Sequence, residues 1–110
     1  MKTINSIEAF EKALMDHTTV CIVFSSDQCI DCLYLNQFIT DVEQKFNTVK
    51  FFTIKRHQLP EVFTHYSIYG VPSLFVYQNT NLISTYIDKH RKTQAQIEAF
   101  LHQSLKKGVT

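Results

Sequence analysis

The sequence predicts an α/β fold in which a central mixed β-sheet is flanked by helices on both faces. Helix-like and strand-like segments alternate along the chain in the order βαβαβαββα. The segment Thr19–Ser25 is rich in β-branched and apolar residues, which suits a central strand covered on both faces. The chain has 110 residues, 45% of them hydrophobic, which suffices for one core and not for two. We therefore expect a single domain over residues 1–110.

The first elements are a short edge strand and a helix. Lys2–Ile4 predicts the strand, and Asn5 and Glu8 have the spacing of a capping box. The apolar residues of the helix recur at i, i+3 and i+7, as Ile7, Phe10 and Leu14. The helix is expected to end near His17, ahead of the central strand.

The middle of the chain predicts a long helix, a strand and a short helix. After the polar stretch Ser25–Gln28, apolar residues recur at helical spacing, namely Leu35, Phe38, Ile39, Val42 and Phe46. Val49–Lys55 predicts a strand. Pro60 suits the first position of a short helix that reaches about Tyr66.

The last third predicts a hairpin and a final helix. Ser73–Tyr77 and Leu82–Ile87 are strand-like and flank the turn residues Asn79–Asn81. Thr93 and Gln96 again have capping-box spacing. The apolar residues of the helix that follows are Ile97, Phe100, Leu101 and Leu105.

Charge and hydropathy exclude several classes of protein. The net charge of +1 provides no strong field for nucleic acid or for an anionic membrane. The longest apolar run, Val20–Phe24, is far shorter than the ~20 residues that span a bilayer. Residues 1–17 carry charges and no signal-peptide pattern. We expect a cytoplasmic protein, and in that reducing compartment a close cysteine pair is redox-active or metal-binding rather than structural.

The motif Cys29-Ile30-Asp31-Cys32 carries the strongest chemical signal. It follows the predicted central strand and opens a predicted helix. Unpaired N–H groups and partial positive charge at a helix N-terminus favour a thiolate, the nucleophile of disulfide exchange. Two intervening residues place the second sulfur one helical turn on, within reach of a disulfide bond.

A second motif, Gly70-Val71-Pro72, directly precedes the strand Ser73–Tyr77. Proline at the first position of a strand sacrifices no ladder hydrogen bond. The peptide bond between Val71 and Pro72 can be cis or trans, and trans is the commoner state of such bonds in general.

Taken together, these motifs resemble the thioredoxin family over nearly the whole chain, about Ile4 to Leu105. The similarity comprises the hydrophobic strand, the C-x-x-C motif, the helix after it, the Gly70–Pro72 loop, the hairpin and the last helix. Asp31 makes the motif similar to the thioredoxin-related subgroup that reads C-P-D-C. The resemblance implies a thioredoxin fold.

The resemblance also implies an activity, that of a thiol–disulfide oxidoreductase, and most directly of a disulfide reductase. Cys29 would be the nucleophile and Cys32 the resolving thiol, with no cofactor beyond this dithiol and no metal. Pro72 would be cis, and the Val71 backbone, with Gln28 and Ile30, would contact the substrate. Partners would be a disulfide-containing protein or small-thiol substrate and a recycling reductase or low-molecular-weight thiol. The chain is expected to be a monomer that binds neither nucleic acid nor membrane.

This chain also departs from the family pattern at several positions. Gln28 replaces the usual tryptophan, and Asp31 replaces the usual proline of the motif. Val23 and Thr53 stand where the family has a buried acid and its partner lysine. Gln37 replaces a helix-kinking proline, and Asp88 a glycine of the docking surface. These departures keep open a second interpretation, a thioredoxin-like adaptor with little or no turnover.

Asp31 is expected to modulate the pKa of the dithiol. A negative charge ~6 Å from a thiolate costs about 0.7 kcal/mol at the dielectric constant of water and about 2.8 kcal/mol at an effective value of 20. The helix terminus opposes it by ~0.3–1 kcal/mol. We expect Asp31 to make Cys29 less acidic and to favour the dithiol, as in a reductant.

Other interpretations of these residues assign them no redox role. A zinc site would need two ligands besides Cys29 and Cys32, and Cys21, His57 and His65 are the conceivable ones. Cys21 lies in an apolar strand and is expected to be a buried, inert thiol. The basic cluster Lys89–Lys92 is expected to be a solvated loop.

Overall fold

The computed structural model describes residues 1–108, so the last two residues of the expected domain lie outside the described part. The strands are β1 (Lys2–Thr3), β2 (Thr19–Ser25), β3 (Lys50–Lys55), β4 (Ser73–Gln78) and β5 (Asn81–Tyr86). The helices are α1 (Ile7–Asp16), α2 (Ile30–Asn36), α3 (Ile39–Lys45), α4 (Pro60–His65) and α5 (Gln94–Lys107). Within residues 1–108, every helix is too short or too polar to cross a bilayer.

The sheet is mixed, as predicted, and its five strands lie in the order β1-β3-β2-β4-β5. β3 runs parallel to both β1 and β2. β4 runs antiparallel to β2, and β5 antiparallel to β4. β2 therefore lies inside the sheet with a partner along each edge, and its residues from Thr19 to Phe24 are all buried.

Helices cover both faces of the sheet because successive side chains of a strand point to opposite sides. On one face, Ile22 and Phe24 of β2 join a core with residues of α1 and α4. On the other face, Cys21 and Val23 join a core with residues of α2, α3 and α5. Cys21 is fully buried there, as predicted.

The cap of α1 differs from the prediction by one residue. Ser6, not Asn5, is the N-cap, and its hydroxyl accepts a hydrogen bond from the Ala9 amide at 3.0 Å. Ser6 has the extended backbone that an N-cap needs, so the helix begins one residue later than a cap at Asn5 requires. The capping box predicted at Thr93 and Gln96 is confirmed, with both hydrogen bonds present.

The long helix predicted after the dithiol is divided into α2 and α3. The amides of Gln37 and Phe38 donate to carbonyls three residues back, at Tyr34 and Leu35, which tightens the chain into a turn. Phe38 has ψ −2°, outside the helical range. The helical periodicity continued through this turn, so the apolar pattern alone did not reveal it. The break falls at Gln37, the position where the resemblance noted above implies a helix-kinking proline.

The β4–β5 hairpin turns through two residues with left-handed backbone. Asn79 has φ 51° and Thr80 has φ 69°. Two such residues in succession form the turn whose twist matches that of the flanking strands. The turn thus lies within the predicted segment, although threonine is an uncommon choice at positive φ.

Candidate active site

Cys29 lies at the N-terminus of α2, directly after the loop that leaves β2. Its Sγ accepts a hydrogen bond from the Cys32 amide at 3.1 Å. Its carbonyl accepts the Leu33 amide at 3.1 Å, which closes the first turn of the helix. The sulfur is therefore aimed at the amides that a helix start leaves unpaired, the position where negative charge on sulfur is favoured.

Cys32 lies one turn further along and is far less accessible than Cys29. It is 4% exposed, whereas Cys29 is half-buried. Burial first, then the hydrogen bond to Cys29 and the charge of the Cys29 thiolate, raise the pKa of Cys32 to about 12. Both thiols are free in the structure. One sulfur is thus open to a partner, while the other is shielded and protonated at neutral pH.

The loop Gly70-Val71-Pro72 faces Cys29. The peptide bond between Val71 and Pro72 is cis. The Cys29 thiol donates to the Val71 carbonyl with an S···O distance of 3.7 Å. Ser73, itself fully buried, donates its hydroxyl to the Gly70 carbonyl at 2.6 Å. The sequence motifs that lie forty residues apart are thereby brought into contact.

Gly70 is required here by a close approach of two backbones. A Cβ at this position would lie 2.5 Å from the Asp88 carbonyl oxygen and the Lys89 Cα. The segment that contains Asp88 and Lys89 therefore packs directly against the Gly70-Val71-Pro72 loop, which we call the proline loop. We call this segment, residues 87–92, the basic loop.

The basic loop reaches the dithiol through Arg91. The Nε of Arg91 donates to Oδ1 of Asp31 at 2.8 Å. The guanidinium carbon also lies 4.3 Å from the centroid of the Tyr34 ring. Asp31, whose charge is predicted to modulate the dithiol, is therefore paired with a cation. The pairing joins residues sixty positions apart, and sequence spacing contains no signal for it.

Lys92 contradicts the prediction that the whole basic cluster is solvated. Its side chain is 1% exposed, and its Nζ donates to Asp88 Oδ1 at 2.7 Å and to the His90 carbonyl at 2.9 Å. The ammonium also lies 5.0 Å from the Tyr86 ring centroid. A lysine is buried only when it is paired, and Asp88, the departure from glycine, is the partner. Lys89, His90 and Arg91 are exposed, as predicted.

A small cavity of about 50 Å³ lies behind Cys32. Ser25 and Thr53 line it, and their hydroxyl oxygens are 3.0 Å apart. Thr53 Oγ1 also donates to the Val23 carbonyl at 2.8 Å. The cavity is large enough to admit a water molecule and has hydroxyl partners for it. Val23, where the resemblance implies a buried acid, also lines the cavity and carries no ionisable group. Thr53, where it implies a lysine, contributes only a neutral hydroxyl.

The other residues predicted to contact substrate surround Cys29. Gln28 is exposed, Ile30 is 73% exposed and Val71 is half-buried. Leu33 and Tyr69, which the sequence analysis did not single out, are also exposed, at 58% and 68%. In the described residues, the cysteines, histidines and acidic residues form no cluster of three that could hold a metal ion.

Paired thiols with these unequal environments exchange electrons with disulfides, so the fold and the site define a thiol–disulfide oxidoreductase. Comparison with known proteins leads to the same class. The profile of the thioredoxin family, described as Thioredoxin, matches residues 2–103. The chain belongs to the thioredoxin family.

Individual relatives support this assignment. The chain is 26% identical over 99 residues to the thioredoxin of Buchnera aphidicola subsp. Schizaphis graminum, covering 88% of this chain and 90% of that protein. Its fold is similar to that of Plasmodium falciparum thioredoxin, with a TM-score of 0.78, 19% identity and coverage of 97% and 98% of the two chains. Mitochondrial thioredoxin 3 of Saccharomyces cerevisiae has a TM-score of 0.79, 15% identity and coverage of 96% and 93%.

Membership of the family carries a general activity. Thioredoxins are protein-disulfide oxidoreductases that act on disulfide-containing proteins and are re-reduced by a reductase or a thiol. They work with their own cysteines and without a cofactor.

Proposed function

We propose that this protein is a disulfide reductase in which Cys29 attacks the substrate and Cys32 resolves the mixed disulfide. The observation that carries this assignment is the unequal pair of thiols, Cys29 accessible at a helix N-terminus and Cys32 buried behind it. The Cys29 thiolate attacks one sulfur of a substrate disulfide and releases the other as a thiol. Cys32 then loses its proton and attacks Cys29 Sγ, the bond to substrate breaks, and the second substrate sulfur leaves as a thiolate.

The direction of the reaction follows from the electrostatics of the dithiol. Strong disulfide oxidants are those whose reduced form is stabilised as a thiolate. Here burial raises the pKa of Cys32, and Asp31 contributes in the same direction. Neither effect stabilises a thiolate at Cys32 in the reduced form, and on this ground we infer that the protein reduces its substrate.

The substrate is proposed to lie across the loop that faces Cys29. Val71 would offer backbone hydrogen bonds to an extended substrate segment, with Pro72 shaping the loop beside it. Gln28 and the exposed side chain of Ile30 would contact the residues that flank the substrate cysteine. Asp31 would act on the dithiol through its charge rather than by touching the substrate.

The setting of this activity is part of the same proposal. We infer a single domain over residues 1–110 that works as a monomer in the cytoplasm and contributes to cell redox homeostasis. A reducing compartment keeps the dithiol reduced between turnovers. The recycling partner is a reductase or a low-molecular-weight thiol, and neither nucleic acid nor membrane is involved.

The test is reduction of insulin by dithiothreitol with wild-type protein and with Cys29→Ser. We expect the wild type to accelerate reduction and Cys29→Ser to match the rate without protein. Cys21→Ala is the matched control, since it removes a buried thiol and should retain full activity. Equal rates for wild type and Cys29→Ser would instead favour a thioredoxin-like adaptor.

The roles of the two cysteines are separated by Cys32→Ser. This variant should accumulate as a mixed disulfide with its substrates, which mass spectrometry identifies together with the bonded cysteine. Attachment at Cys29 is the expected result. Recovery of no covalent partner, or attachment at Cys21, would count against the proposed mechanism.

A further inference from the structure

Arg91 bridges the basic loop to the first turn of α2 with two contacts. Its Nε donates to Asp31 Oδ1 at 2.8 Å, and its guanidinium carbon lies 4.3 Å from the Tyr34 ring centroid. Asp31 and Tyr34 are three positions apart, so they lie on the same side of the helix. An ion pair and a cation–π contact thus fix one guanidinium group against the segment that carries the dithiol.

The basic loop holds Arg91 in this place. Directly after Arg91, the buried Lys92 side chain bonds to Asp88 Oδ1 and to the His90 carbonyl. The His90 amide donates to the same Asp88 carboxylate at 3.0 Å. Because Gly70 has no side chain, the basic loop packs directly against the backbone of the proline loop. The backbone on both sides of Arg91 is therefore ordered, which lowers the entropy lost when its side chain pairs with Asp31.

The Asp31 carboxylate lies between the two cysteines in sequence, and its charge opposes the ionisation of Cys32. A cation paired with that carboxylate offsets its field at the sulfur. Asp31 and Arg91 are partly exposed, at 30% and 48%, so salt and water screen this effect without abolishing it. The ion pair should therefore tune the dithiol by a moderate factor.

We propose that Arg91 is a positioning residue that holds and neutralises Asp31 and thereby sets the rate at which Cys32 closes the Cys29–Cys32 disulfide. This inference rests on the proposed function. In the step concerned, the Cys32 thiol gives its proton to solvent and its thiolate attacks Cys29 Sγ. A Cys29–Cys32 bond forms, the bond from Cys29 to substrate breaks, and the substrate sulfur departs with the electron pair. The protein dithiol is oxidised and the substrate disulfide is reduced.

The step can be measured with 5,5′-dithiobis(2-nitrobenzoate) and excess reduced protein. Attack by Cys29 releases one coloured thiolate, and closure by Cys32 releases the second in a first-order phase. Arg91→Gln should slow the second phase about two- to tenfold at neutral pH, because the uncompensated carboxylate disfavours the Cys32 thiolate. Lys89→Gln also removes one positive charge from the basic loop, but it leaves the Asp31–Arg91 ion pair intact. It should change the rate less than about 1.5-fold.

Two further variants and a pH series distinguish a positioning role from a structural one. Arg91→Lys retains the charge and should recover at least part of the rate. In an Asp31→Asn background, Arg91→Gln should have no further effect, because no carboxylate is left to neutralise. The rate of the second phase in Arg91→Gln should also match the wild-type rate only at a higher pH.

Two results would overturn this inference. The first is that the effect of Arg91→Gln on the rate persists undiminished in the Asp31→Asn background. The second is that the effect of Arg91→Gln is no larger than that of Lys89→Gln. Either result would leave the proposed function intact, since the wild type would still release the second thiolate. Failure of the wild type to release it at all would overturn the proposed function, together with the inference that rests on it.

Discussion

Cys32 illustrates how burial sets the protonation of a single thiol. Burial is the largest cause of its raised pKa, and Asp31 adds to it. When Cys29 is held in a mixed disulfide, its own charge and hydrogen bond no longer contribute, whereas burial and Asp31 remain. The Cys32 thiol, proposed as the resolving group, therefore stays mostly protonated at neutral pH.

The closure of the disulfide should consequently accelerate with pH. Below the pKa of a thiol, its thiolate fraction rises tenfold per pH unit, so the closure rate should rise by about that factor per unit from about pH 6 to pH 9. Stopped-flow measurement of the second thiolate release at successive pH values tests this expectation. Cys32→Ser should lack the second phase. A plateau that begins below about pH 8 would contradict the raised pKa of Cys32.

The residues of the site differ in how far the sequence predicted them. Cys29 and Cys32 could be predicted from the sequence because their spacing of three and the strand before them indicate a redox pair. The pairing of Asp31 with Arg91 could not be predicted, because two side chains sixty residues apart meet only through the fold. Arg91 carried one signal, its place in a short basic cluster, and that pattern is typical of solvated loops.

At the scale of the element, the basic loop depends on one partly buried ion pair. Lys92 is 1% exposed, and its ammonium contacts the Asp88 carboxylate at 2.7 Å. Burial opposes ionisation of Asp88, but hydrogen bonds from Lys92 and His90 outweigh it, so the pKa of Asp88 is lowered. The loop is thus stabilised while Asp88 is ionised.

Asp88→Asn should lower the free energy of unfolding by about 3 kcal/mol, because it leaves a buried ammonium without a counter-charge. Urea denaturation provides the measurement. Asp16→Asn is the matched control, since its exposed pair with Lys12 should contribute less than about 0.5 kcal/mol. Equal losses for the two variants would contradict a structural role for the buried pair.

The same pair has a defined pH dependence. A carboxylate with a lowered pKa in the folded state contributes stability above its ordinary pKa, and that contribution is lost as pH falls through the folded value. The difference in stability between wild type and Asp88→Asn should therefore be full at neutral pH and shrink below about pH 4. A difference that grows in acid would contradict the assignment.

At the scale of the whole molecule, the layered arrangement was predictable because it follows from hydrophobic pattern. The apolar sequence of β2 predicts that both faces of the strand are buried. Successive residues of β2 do alternate between the two cores. The division of α2 from α3 at Gln37 and the burial of Lys92 were not predictable in this way. The first is a backbone event inside a continuous apolar pattern, and the second depends on a partner that only the folded loop supplies.

The third cysteine has a consequence for the oxidised protein as a whole. With Cys29 and Cys32 joined, Cys21 is the one remaining thiol, and it is fully buried in the central strand with a pKa that burial raises. It can react only when the sheet opens, so its modification rate reports the population of the unfolded chain.

Oxidised protein should therefore show almost no titratable thiol in native buffer and one thiol per chain in urea. Thiol titration across the unfolding transition tests this, with Cys21→Ala as the variant that should remain silent throughout. Rapid modification of Cys21 in native buffer would contradict its burial. A thiol enclosed in this way takes no part in disulfide scrambling, so an odd number of cysteines leaves the redox pair without an internal competitor.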